Sequence, residues 1–299
     1  MGIIKPTDAT VTIEAGDYAL SLAPACGGSI TAFAWRGKAL MRPGAGASAL
    51  NASCFPLVPF SNRIAHGRFA WAGRAIEVVP NFPGSDHPHP IHGFGWLVPW
   101  EVREAQPSFA ILSHNYPGGD WPWPYRAEQQ ILLAPDGLTM KLTLTNIGGE
   151  PMPAGLGFHP FFPRTAMTRY CGLHTGEWQN DGDCLPIALD RRKAARDWWD
   201  GAPVGSRTVD TVYAQRDGPL TIAWTDRGLS LEIAPSANLP FTVVYTPENA
   251  DWFCVEPVSH MTNAVNAPIA GSGLVTLQPG NSLTCAMTLR ASAIGERHD

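Results

Sequence analysis

Residues 220–234, LTIAWTDRGLSLEIA, alternate on both sides of a turn. Leu220, Ile222 and Trp224 are separated by small or polar residues. Asp226, Arg227 and Gly228 supply turn chemistry, and Leu229, Leu231 and Ile233 return with the same period of two. Successive side chains of a strand point to opposite faces, so this pattern reads as a β-hairpin with one apolar face. Working outward, TMKLTLT at 139–145 sets Met140, Leu142 and Leu144 against Thr139, Lys141, Thr143 and Thr145. Pro135, Asp136 and Gly137 join it to QQILLA at 129–134, and further turns are expected at 15–17, 71–73 and 279–281. Helical spacing is scarce; the best stretch is DRRKAARDWW, residues 190–199, where Asp190 offers an N-cap ahead of good helix formers.

The chain has 28 Pro and 30 Gly spread throughout, with no linker-like stretch and no repeat of fixed period. We therefore expect an all-β fold, a large antiparallel β-sandwich with at most short helices, formed by residues 1–299 as one domain. With 44% hydrophobic and 16% charged residues there is ample material for a core. The net charge is −5 and the 21 Lys and Arg form no run, which argues against nucleic acid or an anionic membrane as partner and for a small neutral or weakly charged ligand. Six cysteines without a C-x-x-C pair read as reduced core thiols. MGIIKPTDAT has no long apolar stretch, and no run approaches the roughly 20 apolar residues of a membrane span, so a cytoplasmic location is expected.

Four segments offer chemistry. In SCFPLVPFSNRIAHGRFAWAGRAIEVVPN, residues 53–81, Arg63 lies in a Pro-rich loop, either as a surface cation or as a fork gripping vicinal hydroxyls. In SDHPHPIHGFGWLVPW, residues 85–100, Gly93 and Gly95 follow His92 and allow close approach of a ligand, with Trp96 as a stacking face. His87, His89 and His92 also resemble a metal set, but Gly93 to Trp96 hold the places where a carboxylate would follow, so a non-metal role for His92 is preferred.

In AGLGFHPFFPR, residues 154–164, Pro160 biases His159 toward extended backbone, either as a core histidine or as a functional one. In DWFCVEPVSHMTNAVN, residues 251–266, Trp252, Cys254 and Glu256 share one face of a strand. Glu256 closes an apolar run before Pro257. It is either the partner of a structural arginine or a base whose pKa burial has raised.

Taken together, NRI at 62–64 with its G-R-F and W-A-G spacing, HPIHGFGW, GFHPFF and VEP resemble the aldose 1-epimerase (galactose mutarotase) family in order and separation, over about 10–290. The resemblance implies a β-supersandwich and an isomerase acting on a sugar without metal or cofactor. It also implies Glu256 as general base, His159 as general acid, and Arg63, His92 and Asp210, in TVDTVY, as sugar-binding residues. Opening a pyranose needs one group to remove the C1-hydroxyl proton and another to protonate the ring oxygen. On this assignment activity depends on pH as a bell, with Glu256 ionised, His159 protonated and the alkaline loss following the histidine.

IHGFGW and GFHPFF depart from the better-known galactose mutarotases beside the proposed site, which leaves the sugar open. Three other functions compete. A hexose-6-phosphate mutarotase would need cations such as Arg63, Arg68, Arg74 and Arg126 to converge. A non-catalytic sugar-binding or sensory protein would not need both His159 and Glu256, and a glycosidase would need two facing carboxylates.

Overall fold

The computed structural model describes residues 10–46, 48–192 and 198–295. In chain order the first strands are β1 (Val11–Ala15), β2 (Tyr18–Ala23), β3 (Ser29–Trp35), β4 (Lys38–Ala39), β5 (Cys54–Leu57), β6 (Arg68–Trp71) and β7 (Arg74–Glu77). Next come β8 (Glu101–Gln106), β9 (Phe109–Tyr116), β10 (Tyr125–Ala134), β11 (Gly137–Asn146), β12 (Met152–Ala154), β13 (Gly157–Pro163) and β14 (Thr168–Asn180). The last are β15 (Pro186–Asp190), β16 (Ala202–Pro203), β17 (Asp210–Trp224), β18 (Leu229–Pro235), β19 (Phe241–Tyr245), β20 (Trp252–Val258), β21 (Val275–Leu277) and β22 (Ser282–Ala293).

The hairpin read from 220–234 is present: Leu220 pairs with Ile233, Ile222 with Leu231 and Trp224 with Leu229, and all six are fully buried. Each such side chain contributes roughly 1.5–3 kcal/mol relative to exposure. Gly228 closes the turn at φ 61°, a left-handed conformation that costs glycine nothing. β10 and β11 form a ten-pair ladder around Pro135 and Asp136. The turns at 15–17 and 71–73 also join paired strands, whereas the one at 279–281 leads from β21, paired with β12, into β22 of the main sheet.

β17 links two layers. Its first half pairs with β19, in a layer that runs β17-β19-β20-β13-β5-β3-β2-β1. Its second half pairs with β18, in a layer that runs β18-β22-β11-β10-β9-β8. All of these ladders are antiparallel, as an all-β sandwich requires.

Alternation in the first layer separates core from site. Cys54, Phe158, Phe162, Phe253, Val255, Val244 and Tyr213 face the core shared with Leu142, Ile222, Leu231 and Met287 of the second layer. Their sequence neighbours Phe55, Phe161, Cys254, Val243 and Val212 belong to a separate cluster on the opposite face. That opposite face carries the candidate site.

Half of the helix expected over 190–199 falls on 193–197, outside the described residues; Asp190 itself ends β15, and Trp198 and Trp199 lie in a turn. All six cysteines are unpaired. Cys54, Cys254 and Cys285 are buried as expected, whereas Cys26, Cys171 and Cys184 are partly exposed and so are not core thiols. Among the described residues no helix is long and apolar enough to cross a membrane.

Candidate active site

β13 and β20 place His159 opposite Glu256. Gly157 pairs with Val258 and Phe161 with Cys254, so His159 and Glu256 meet midway on the same register. Pro160 and Pro257, which lack N–H groups, interrupt the ladder there. The His159 Nε2 lies 3.3 Å from Glu256 Oε1, with side chains 8% and 3% exposed. The imidazole stacks on Phe55 (4.4 Å between centroids), Phe161 packs tilted against it (4.6 Å), and His92 meets it edge-on at 4.9 Å.

Burial governs the electrostatics of this pair. It pushes the Glu256 carboxyl well above the usual range, a shift that Asp210 reinforces and Arg63 opposes. It also lowers the His159 imidazole to about 3, with the Arg42 charge acting in the same direction. In the free pair burial thus favours the neutral arrangement, with the proton on the carboxyl, over ionised Glu256 beside protonated His159. The pair still holds one proton in either form, which is the number an acid–base exchange needs. Nδ1 of His159 and Oε2 of Glu256 are buried without a protein partner.

Arg63, His92, His159, Asp210 and Glu256 all line one cavity of about 360 Å³. Arg63 Nη2 donates to Asp210 Oδ2 (2.9 Å), Nη1 to Asn62 Oδ1 (3.2 Å) and Nε to His87 Nε2 (3.4 Å). Three of its five N–H groups are thereby committed, and two remain for ligand oxygens. Asp210, at the start of β17, has its carbonyl held by Asn180 Nδ2 at 2.7 Å, so it belongs to the cavity and not to open surface. His92 Nδ1 accepts the Asn62 N–H at 3.2 Å. Burial, assisted by the neighbouring His159, Arg63 and His87, keeps His92 far below the ordinary histidine pKa, so its proton sits on Nε2 as a donor.

Two readings of 85–100 change. A Cβ on Gly93 would meet the Val58 carbonyl at 2.1 Å and one on Gly95 the Val58 Cγ1 at 2.4 Å, and the N–H groups of Phe94 and Gly95 donate to that carbonyl, so the glycines admit Val58 and not ligand. Trp96 is buried on Phe55 at 5.6 Å and does not line the cavity. The lining aromatics are Phe82, Phe161, Tyr245 and Trp252. Of these, Trp252 is signalled by its shared strand face with Glu256, whereas nothing local marks Phe82 and Tyr245 as bordering a cavity; His87, expected only as a metal-ligand candidate, also lines it and contacts Arg63.

The His87, His89 and His92 set is not assembled as a metal site. His89 Nδ1 accepts from His66 N–H (2.9 Å), His87 Nδ1 faces the His89 carbonyl (2.8 Å), and His92 Nδ1 is engaged by Asn62. Among the described residues, the donors that do converge are those of His159, Cys254 and Glu256, all within 4.8 Å of one another. Burial keeps the Cys254 thiol well above its ordinary pKa, whereas metals bind the thiolate.

Nor do the basic residues converge. Arg68 pairs with Glu77 and Arg74 with Glu150 on the exposed surface, and Arg126 lies in a separate depression with Arg103 and Glu128. A larger groove of about 620 Å³ has no carboxylate, imidazole or guanidinium among its described lining residues.

Residues 9–290 match the family model described as Aldose 1-epimerase. An uncharacterized Escherichia coli K12 protein, YphB, is 33% identical over 274 residues, covering 88% of this chain and 92% of that one. A crystal structure of an Escherichia coli K12 protein, named only as a candidate aldose 1-epimerase, superposes with a TM-score of 0.88 at 31% identity, covering 95% and 99% of the two chains. A galactose mutarotase-like protein of Clostridium acetobutylicum superposes with a TM-score of 0.85 at 17% identity, covering 98% and 97%, and shows the shared fold.

Proposed function

The chain belongs to the aldose 1-epimerase family, and from that premise we propose that it is a mutarotase interconverting the α and β anomers of a free, uncharged aldose by acid–base ring opening. The observation that carries this reading is the contact of His159 with Glu256 at 3.3 Å on the wall of the cavity that Arg63, His92 and Asp210 also line. From the neutral pair the carboxyl proton first passes to His159 Nε2 across the 3.3 Å contact; Glu256, now a carboxylate, takes the C1-hydroxyl proton while His159, now an imidazolium, protonates the ring oxygen. The aldehyde then rotates about C1–C2, and closure runs the two transfers backwards on the other face. Because the two groups touch, any proton left on the wrong partner can pass directly between them.

The same dry surroundings that resist charge on the free pair strengthen its electrostatic hold on a developing oxyanion. His92, with its proton on Nε2, donates to an anomeric or ring oxygen. Arg63 and Asp210 grip hydroxyls, the first with its two uncommitted N–H groups. Phe161, Tyr245 and Trp252 form an aromatic wall, with centroids 5.2 Å and 5.8 Å from Trp252, suited to sugar C–H groups.

An uncharged sugar is favoured because Arg63 is the only Arg or Lys among the described lining residues and is already paired with Asp210. Anomer-exchange NMR across free aldoses and their 6-phosphates tests this reading. At least one free aldose should exchange faster than in buffer, and none of the phosphates should exchange faster still. Binding of a free aldose without faster exchange would replace the enzyme by a sugar-binding protein.

A further inference from the structure

Asn62 and His92 face each other at bends in two loop segments, both in the left-handed region (φ 56° and 62°), with Arg63 bridged to Ile91 beside them. The Asn62 N–H donates to His92 Nδ1 at 3.2 Å, and the His92 N–H donates back to the Asn62 carbonyl at 3.1 Å. The Asn62 side chain turns the other way: its Oδ1 accepts the Arg63 backbone N–H at 2.8 Å and Arg63 Nη1 at 3.2 Å. Asn62 is 4% exposed and sits at φ 56°, the left-handed region that asparagine tolerates better than other side-chain-bearing residues. No other described residue makes hydrogen bonds to both of these groups of the cavity.

We infer that Asn62 is a positioning residue that joins the Arg63 fork and the Nε2–H form of His92 into one rigid unit. Its backbone sets which His92 nitrogen carries the proton, because an imidazole nitrogen that accepts a hydrogen bond leaves the proton on the other. Its side chain sets the direction of the guanidinium, because a fork held at Nη1 by Asn62, at Nη2 by Asp210 and at Nε by His87 has little freedom left. The two tasks separate by substitution. Glycine keeps the left-handed backbone and removes only the side-chain acceptor. Alanine removes the acceptor and resists the backbone conformation. Aspartate keeps both.

This inference rests on the mutarotase reading for its kinetic consequence but not for its structural one, so two readouts are used. In 15N spectra of histidine-labelled protein, with His92 identified by His92→Gln, the wild type should show a single neutral form protonated at Nε2. Asn62→Gly and Asn62→Asp should preserve that signal, and Asn62→Ala should move it toward mixed forms. In anomer exchange on the best free aldose, Asn62→Gly should raise KM about ten-fold with kcat within about two-fold, and Asn62→Asp should restore KM. A His92 protonated at Nδ1 in the wild type, a His92 signal unmoved in folded Asn62→Ala, or a wild-type KM in Asn62→Gly would overturn the inference. Absence of any exchange in the wild type would overturn the mutarotase reading alone, because the histidine spectra need no substrate.

Discussion

His159 Nε2 and Glu256 Oε1 stand 3.3 Å apart on adjacent strands, in surroundings that leave both side chains almost without solvent. Burial raises the carboxyl and lowers the imidazole to about 3, so the form with one shared proton spans a wide pH range. The acid limb of activity should reflect uptake of a second proton, well below the ordinary histidine value of about 6.5. The alkaline limb should reflect loss of the last proton and lie above the ordinary carboxylate range. The pH profile of enzyme-dependent exchange, corrected for the spontaneous reaction, checks this. Alkaline loss centred at the ordinary histidine value would show that the imidazole is not depressed in the working enzyme.

Removing either member of the pair should stop the relay. Glu256→Gln keeps the shape and removes the base, and His159→Asn removes the acid; each should slow exchange by about 10²-fold or more. The double variant should be far less than multiplicatively worse, because both groups serve one exchange. Near-normal rates in either folded single variant, for every accepted sugar, would end the assignment.

The Arg63–Asp210 pair predicts a binding effect. Arg63→Ala should raise KM about ten-fold or more with a smaller change in kcat. Arg63→Lys should not restore it, since an ammonium cannot reproduce three fixed contacts and two free donors. Arg63→Ala and Asp210→Ala should be non-additive by roughly 0.5–3 kcal/mol in a double-mutant cycle. Additive effects, or full rescue by lysine, would place the pair outside the substrate's reach.

Activity should survive exhaustive chelation. Both proton transfers can be made by His159 and Glu256, and the nearby Cys254 sulfur is held as a thiol. Loss of exchange that zinc or manganese restores would assign the His159, Cys254 and Glu256 cluster to a metal.

Acid should destabilise the fold earlier than carboxylates alone would. Burial lowers His159 to about 3 and both His174 and His260 to about 4, against about 6.5 when unfolded. These depressed values contribute stability that is fully present above the unfolded pKa and is lost as pH falls toward the folded values. Each of these rings contributes up to roughly 1.4 kcal/mol per pH unit between about pH 6 and 4, and the raised Glu256 carboxyl, protonated when folded and ionised when unfolded over much of that window, offsets part of the sum. Urea unfolding across that window reads it, and His174→Gln should reduce the slope by about one proton. A flat stability curve from pH 7 to 5 would contradict the burial of these rings.

The sequence by itself determined the class of fold and the direction of many side chains. Period-two alternation at 220–234 and 139–145, and the turn residues between the runs, are local properties that survive in any β arrangement. Pro160 and Pro257 likewise announced that His159 and Glu256 lie on extended backbone. What only the tertiary structure decided is which alternating face meets the other layer and which borders a cavity. Trp96 and Trp252 both sit in aromatic-rich segments, yet Trp96 is buried on Phe55 while Trp252 lines the cavity. Gly93 packs on the Val58 carbonyl, a neighbour 35 positions earlier in the chain. The meeting of Arg63 with Asp210 and of His159 with Glu256, and the location of the proton in the second pair, depend on strand register and burial. Both are set by contacts between residues far apart in sequence, which no local pattern of residue types encodes.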